Sequence, residues 1–284
     1  MLNYWLAQGC GNTFVIFNFL DNAFVIDQQL LQIIRSIITK EGVDTALILI
    51  PASIKADYRV IQMLVYEQDG SFSNFCGNGA RAVGAFLYRY YQEVFFGLAC
   101  SDGIRNIQIM ASAEIFVDML HPKFESRHFK THSVPSEDFF NERNLFGIYF
   151  ENSVKLYFVE IGEPHLVTFH AMSDQTLERI GENLNTLYRS IFPDGININV
   201  VHEINKTTLF VRTYERGVNR ITKACGSGSM GSAIITHALN RIETNSITIL
   251  MKGGMLRCEL DQQYDHIHMI GEATIESDQK TYKK

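Results

Sequence analysis

Hydrophobic positions along the chain follow two periods that alternate. Uninterrupted apolar runs at residues 13–18, just after the turn Gly9-Cys10-Gly11-Asn12, and at 46–51, ending on Pro51, predict buried strands. Between them, Leu30, Leu31, Ile33, Ile34, Ile37 and Ile38 recur at helical spacing and predict a helix over 28–39. Strands are expected at 58–66 and 72–75 around Gln68-Asp69-Gly70, then a helix at 81–91 and strands at 107–110 and 113–119. The second half repeats the order. It has a strand at 156–161, a helix at 175–190, strands at 196–202 and 208–214, a helix after residue 225, and strands at 246–251 and 256–260 around Gly253-Gly254. A polar, basic stretch from Pro122 to Ser136 separates the halves and marks a domain boundary. Sequence identity between the halves is confined to one short motif.

That motif is Cys76-Gly77-Asn78-Gly79 in the first half and Cys225-Gly226-Ser227-Gly228 in the second, each running into an apolar helical segment. A cysteine at the start of a helix sits among unpaired backbone N–H groups at the positive end of the macrodipole. This setting favours the thiolate and leaves donors to hold an anion. Read alone, either cysteine is an ordinary small buried hydrophobe. Read together, the two predict an acid and a base working on opposite faces of one carbon.

Other polar residues sit at predicted strand ends. Glu215 and Arg216 lie shortly before Cys225 and suit an amine and a carboxylate, or form a surface ion pair. His165, in Gly162-Glu163-Pro164-His165, is a candidate proton relay or thiol partner at a strand end, or an ordinary loop histidine. Asn12 is aimed by its turn at a pocket, or merely caps that turn.

Composition narrows the classes. A hydrophobic content of 46% supports a sizeable core. A formal charge of −6, with Lys and Arg scattered, excludes a phosphate-tracking surface, so no nucleic-acid partner is expected. No apolar run approaches the ~18 residues of a membrane span, and the first residues lack the pattern of a signal peptide. The five cysteines, Cys10, Cys76, Cys100, Cys225 and Cys258, are odd in number and widely spaced. They fit neither a disulfide framework nor a CxxC metal or redox site, so free thiols in a reducing cytoplasm are expected, with Cys10, Cys100 and Cys258 structural.

With these motifs assembled, the chain resembles the diaminopimelate epimerase family of pyridoxal-independent amino-acid racemases and epimerases. The matching stretches run along its whole length. They are Gly11-Asn12-Thr13-Phe14-Val15, Asp69-Gly70-Ser71, Cys76 to Arg81, Pro164-His165, Phe192-Pro193 with Asn197, Glu215-Arg216-Gly217, Ala224 to Gly228, Gly253-Gly254 and Gly271-Glu272-Ala273-Thr274. The resemblance implies an α+β fold of two similar domains, each a mixed sheet wrapped around a central helix. The expected domains are 1–122, joined by the tail 271–284, and 123–270, with the site in the cleft between them. It implies Cys76 and Cys225 as catalytic acid and base, assisted by His165 and Glu215. Asn12, Glu67, Gly77, Asn78, Glu163, Asn197, Arg216, Gly226 and Ser227 are implied as substrate-binding residues, the α-carboxylate lying on the amides of Gly77, Asn78, Gly226 and Ser227. No cofactor and no metal are implied; the expected partner is a small amino-acid substrate, and a homodimer is compatible with the reading.

The chain departs from the family pattern at the distal end of the substrate. Glu67 and Glu163 stand where the family has Asn, Thr45 where it has Gln, and Val218 to Lys223 replace a Gly-Glu-Thr stretch. Two added carboxylates repel a second substrate carboxylate, and repulsion of this kind sets specificity. The expected substrate is therefore an amino acid with a neutral or cationic side chain, such as histidine, lysine, ornithine or arginine. Retained Arg216 either pairs with a distal carboxylate, which supports the alternative of a conventional diaminopimelate epimerase, or is neutralised by Glu67. A third reading, of another class, is a non-catalytic binding homologue, a group that typically lacks the cysteine pair.

Overall fold

The computed structural model describes residues 1–21, 25–52, 57–73, 75–101, 103–124, 139–151 and 153–282. Most of the basic stretch expected to separate the halves therefore lies outside the described residues. The chain divides into two compact units, Met1–Asp118 with Ile270–Lys284, and Met119–Met269.

In the first unit, β1 (Leu2–Gly9) and β2 (Asn12–Asn18) form an antiparallel hairpin. Helix α1 (Gln28–Glu41) then crosses to β3 (Thr45–Pro51), parallel to β2. β4 (Val60–Glu67) returns antiparallel to β3, and β5 (Phe72–Ser73) is a short antiparallel addition. Helix α2 (Gly77–Tyr91) crosses to β6 (Phe95–Cys100), parallel to β4; β7 (Gly103–Ile109) and β8 (Ile115–Asp118) follow antiparallel.

The second unit adds β9 (Phe139–Glu142) and β10 (Leu145–Phe150), then repeats the plan. β11 (Val154–Ile161) and β12 (Glu163–Thr168) are the hairpin. Helix α3 (Asp174–Thr186) crosses to β13 (Asn197–Asn205), parallel to β12. β14 (Thr208–Glu215) is antiparallel to β13 and carries the short β15 (Arg220–Ile221). Helix α4 (Gly226–Ala238) crosses to β16 (Ser246–Met251), parallel to β14, with β17 (Gly254–Leu260) antiparallel beyond it. β18 (Ile267–Gly271), β19 (Thr274–Ile275) and β20 (Lys280–Tyr282) close the chain, the last two pairing with β1. Strand for strand and helix for helix, β1–β7 and β11–β17 have the same order and the same parallel and antiparallel senses.

Helices of the two kinds expected from the pattern differ in burial. α1 and α3 are amphipathic and bury one stripe, Leu30, Ile34, Ile37 and Ile38 in one, Leu177, Ile180 and Leu184 in the other. Asp27 caps α1 at the Leu30 amide and Gly42, at φ 66°, ends it in the left-handed conformation. α2 and α4 are buried nearly all round, from Gly77 to Leu87 and from Gly226 to Thr236, and pack against the strands of their own units. α4 tolerates this despite its hydroxyls because they turn back on the helix. Ser229 Oγ donates to the Cys225 carbonyl at 2.7 Å, Ser232 to Gly228 at 2.7 Å and Thr236 to Ser232 at 2.6 Å.

Several strands escape the sequence pattern, and each has a physical reason. β12 holds Pro164 at its second residue, before the parallel ladder to β13 begins at His165, so the lost N–H leaves that ladder intact. His165 consequently lies inside a strand rather than at a strand end. β19 and β20 are too short to register. α3 ends at Thr186, short of residue 190, where Asn185 turns its amide to the backbone of Ile196. Phe86 of α2 is fully buried, whereas Tyr88 is 46% exposed. Phe86→Ala should cost about 3–5 kcal/mol in denaturant unfolding and Tyr88→Ala under about 0.5 kcal/mol.

Candidate active site

The two central helices begin alike. Cys76 is the N-cap of α2, with φ −131° and ψ 107°, and Cys225 that of α4, with φ −127° and ψ 113°. Each sulfur accepts from the backbone amide three residues on, Gly79 at 3.3 Å and Gly228 at 3.4 Å. Caps are ordinarily oxygen. Sulfur in that place makes a contact that is stronger for a thiolate than for a thiol. The glycines allow close packing. A Cβ on Gly79 would sit 2.9 Å from a Leu47 methyl, which would have to shift, and one on Gly228 would overlap the Asn199 side-chain oxygen and approach Thr213 Oγ1 to 3.1 Å.

The repeat aligns further residues with these caps. Glu67 pairs with Thr45 across β3 and β4, and Glu215 takes the corresponding place at the end of β14, one residue beyond the Ile198–Tyr214 pair of β13 and β14. Glu67 accepts from Ser73 Oγ at 2.8 Å and from Thr45 Oγ1 at 2.9 Å; Glu215 accepts from Thr222 Oγ1. Ser73 and Thr222 are each the third residue before a cysteine. Glu67 is thus held by hydroxyls, and burial pushes its carboxyl above the ordinary range against the pull of those two bonds.

In the first unit Asn78 and Asn12 meet. Asn78 Nδ2 donates to Asn12 Oδ1 at 2.7 Å, and Arg81 Nη2 donates to Asn78 Oδ1 at 2.9 Å. Gly77 and Asn78 are the first residues of α2.

In the second unit Glu163, Asn197 and Arg216 form one cluster. Glu163 and Arg216 are an ion pair, Arg216 Nη1 also donates to the Asp194 carbonyl at 2.6 Å, and the Arg216 backbone amide donates to Asn197 Oδ1 at 3.0 Å. Asn197 Nδ2 reaches the Pro164 carbonyl at 3.1 Å. His165 is fully buried between two partners, Asn199 at Nδ1, 3.1 Å away, and Ser227 at Nε2, 3.0 Å away. The Leu166 carbonyl, 3.1 Å from Asn199 Nδ2, can only accept, so that amide presents its donor to His165 Nδ1. The histidine is thereby the neutral tautomer protonated at Nε2, and it donates to Ser227 Oγ. Ser227 Oγ lies 3.6 Å from Cys225 Sγ, so His165 addresses the thiol through the serine. Burial, reinforced by the Arg216 charge, lowers the His165 pKa to about 3.

Asn199, Thr213 and Ser73 were absent from the residues expected of the site. Asn199 was detectable as a second asparagine on the Asn197 face at the apolar start of its strand, where Ile198, Val200 and Val201 surround it. The hydroxyls carry no pattern of their own. Among the described residues no helix is long and apolar enough to cross a membrane.

Comparison with known proteins follows this geometry. Residues 157–276 match the family model of diaminopimelate epimerase. The chain is 30% identical to a diaminopimelate epimerase of Methanococcus aeolicus over 99% of both chains. It is 32% identical to one of Bacteroides thetaiotaomicron, over 80% of this chain and 79% of the other. The chain belongs to the diaminopimelate epimerase family, and is an isomerase of the epimerase and racemase type. Its fold is shared with a hydroxyproline epimerase of Agrobacterium vitis, at TM-score 0.67 and 12% identity over 98% and 90% of the chains. A predicted epimerase of Pseudomonas aeruginosa gives TM-score 0.69 and 13% identity over all of both chains.

The buried histidine gives stability a pH dependence. Below the ordinary histidine pKa of about 6.5 the unfolded chain binds a proton that the native state refuses down to about pH 3. Stability should therefore fall as pH drops through that window, with a His165 contribution approaching about 1.4 kcal/mol per pH unit. His165→Gln should flatten that part of the curve in urea unfolding between pH 7 and 4; an unchanged slope would show that the histidine charges in place.

Proposed function

We propose that this enzyme inverts the Cα stereocentre of an amino acid with Cys76 and Cys225 as its two proton-transfer groups. The observation that carries the reading is the twin cap, a sulfur at the first turn of each buried helix with the same backbone angles. One cysteine, as thiolate, takes the Cα proton. The electron pair left on carbon spreads onto the carboxylate oxygens. The other cysteine, as thiol, delivers its proton to the opposite face and becomes the thiolate, so the two exchange roles with each turnover. Amides of Gly77, Asn78, Gly226 and Ser227, at the starts of the two helices, are suited to hold the carboxylate as its charge grows. Neutral His165 keeps Ser227 oriented toward Cys225 and carries no proton of its own to the substrate at neutral pH.

The proposed substrate lacks the second carboxylate of diaminopimelate. Arg216, the group suited to bind such a carboxylate, is paired with Glu163 and bonded to the Asp194 carbonyl. A distal carboxylate would have to compete with Glu163 for that guanidinium, at a cost for breaking a half-buried pair. An uncharged or cationic side chain meets no such competition. The conventional diaminopimelate reading is favoured by one observation, the presence of Arg216 itself, together with the names of the relatives.

The test is Cα proton exchange in deuterated water with reduced protein and no pyridoxal phosphate. The panel is LL-diaminopimelate and the L forms of histidine, lysine, ornithine, arginine and glutamate. Exchange is expected with a basic amino acid; exchange with diaminopimelate alone would establish the conventional epimerase, and none at all would point to a binding protein. Cys76→Ser and Cys225→Ser should each lower the rate roughly 10²–10⁴-fold. Glu67→Asn with Glu163→Asn, which releases Arg216, should raise diaminopimelate turnover relative to the other amino acids. No relative gain would count against the altered distal pocket.

A further inference from the structure

The Arg81 guanidinium is completely buried at the back of the first-unit site. Its Nη2 donates to Asn78 Oδ1 at 2.9 Å and to Cys10 Sγ at 3.3 Å, and its Nε lies 3.5 Å from the Glu272 carbonyl. Arginine has donors only, so whichever Asn78 atom faces it must be the oxygen. The Asn78 nitrogen then points to Asn12, and the Asn12 atom that receives it, at 2.7 Å, must be the oxygen in turn. The Asn12 nitrogen is left turned away from Asn78, as a donor. Two bonded amides alone have no such polarity, because both can be reversed together with the bond kept. The buried cation is what removes the choice.

The surrounding chain is fitted to this cation. Cys10 and Gly11 join β1 to β2 with φ 51° and 77°, a turn whose first residue is usually asparagine, aspartate or glycine. Cysteine is uncommon in the left-handed region, and here its sulfur is the acceptor that meets Arg81. A Cβ on the preceding Gly9 would sit 3.3 Å from the Asn78 carbonyl and 3.6 Å from Arg81 Nη2. The second repeat has no equivalent. Counted from its cysteine, the matching residue is Met230, also fully buried. There the Leu166 carbonyl sets the amide polarity through Asn199.

We propose that Arg81 is a positioning residue, which through Asn78 locks the Asn12 side chain with its nitrogen presented as a hydrogen-bond donor to the carboxylate of the bound amino acid. This rests on the reading of Asn12 as a substrate-binding residue. Arg81 does not touch the substrate; it decides whether the substrate meets a donor or an acceptor. An acceptor at that place would repel a carboxylate.

Asn78→Asp tests this by reversing the relay. One carboxylate oxygen still serves Arg81, now as a buried ion pair, so folding is preserved. The other oxygen faces Asn12 and demands its nitrogen, turning the Asn12 oxygen outward. KM for the amino acid should rise at least about tenfold, with kcat changed less and the melting temperature not lowered. Added negative charge could raise KM directly, so the variant is repeated with Asn12→Ala. The relay requires that Asn78→Asp add little once Asn12 is gone, whereas full additivity of the two effects would overturn it. A readout independent of turnover is the Asn12 side-chain NH₂ resonance in a ¹H–¹⁵N spectrum, identified by its loss in Asn12→Ala. In Asn78→Asp it should move downfield and exchange more slowly; an unmoved resonance would overturn the relay whatever the activity. A moved resonance in a protein that exchanges no amino acid would support the relay and count against the proposed reaction alone.

Discussion

A helix buried on every side has nowhere to send its first amides except into the protein. α2 and α4 both face this constraint, and both meet it with a sulfur. The cap is therefore structural and chemical at once. The amides that need a partner are the ones that favour a thiolate, and the glycines packed against neighbouring strands, Gly79 and Gly228, are the ones whose amides meet the sulfur. Around each cap the chain supplies a carboxylate at a strand end and a hydroxyl just before the cysteine, Glu67 with Ser73 and Glu215 with Thr222. The repeat is a repeat of this arrangement more than of any residue sequence.

The two copies then differ in how they fix their polar groups. A buried guanidinium orients the first, acting through Asn78 on Asn12. A backbone carbonyl orients the second, acting through Asn199 on His165 and from there on Ser227. In both, a group with a single hydrogen-bonding character sets the direction of ambidextrous ones downstream. Burial keeps His165 neutral, so its use is the direction of its N–H and not its charge. Cys10 and Cys258, by contrast, are raised by burial, Cys258 to about 12, as befits thiols that stay protonated.

Legibility in the sequence follows the range of the forces involved. α1 and α3 carry one apolar stripe each and could be read from spacing. The Cys-Gly motifs marked the starts of α2 and α4 because capping is local. β12 was hidden by Pro164, whose effect depends on where the neighbouring ladder begins. Glu67 and Glu163 were visible as departures from the family pattern, yet their partners were not: Arg216, expected to be open to neutralisation by Glu67, pairs with Glu163 instead. Read as two added charges, they prove to be one carboxylate held by hydroxyls and one paired with an arginine distant in sequence. Thr213 lacks any short-range signature, and Asn199 shows only as a second asparagine two residues from Asn197, because the meaning of both lies in contacts across strands.

The return of the chain to its beginning has a consequence for the order of assembly. β1 is made first, but its partners β19 and β20 lie at residues 274–282. The second unit, residues 119–269, has its own apolar core and is synthesised before those partners exist. On the ribosome, the half begun first is therefore the half finished last. Its open strand edge waits through the synthesis of the entire second unit, a period in which nascent chains are exposed to mispairing.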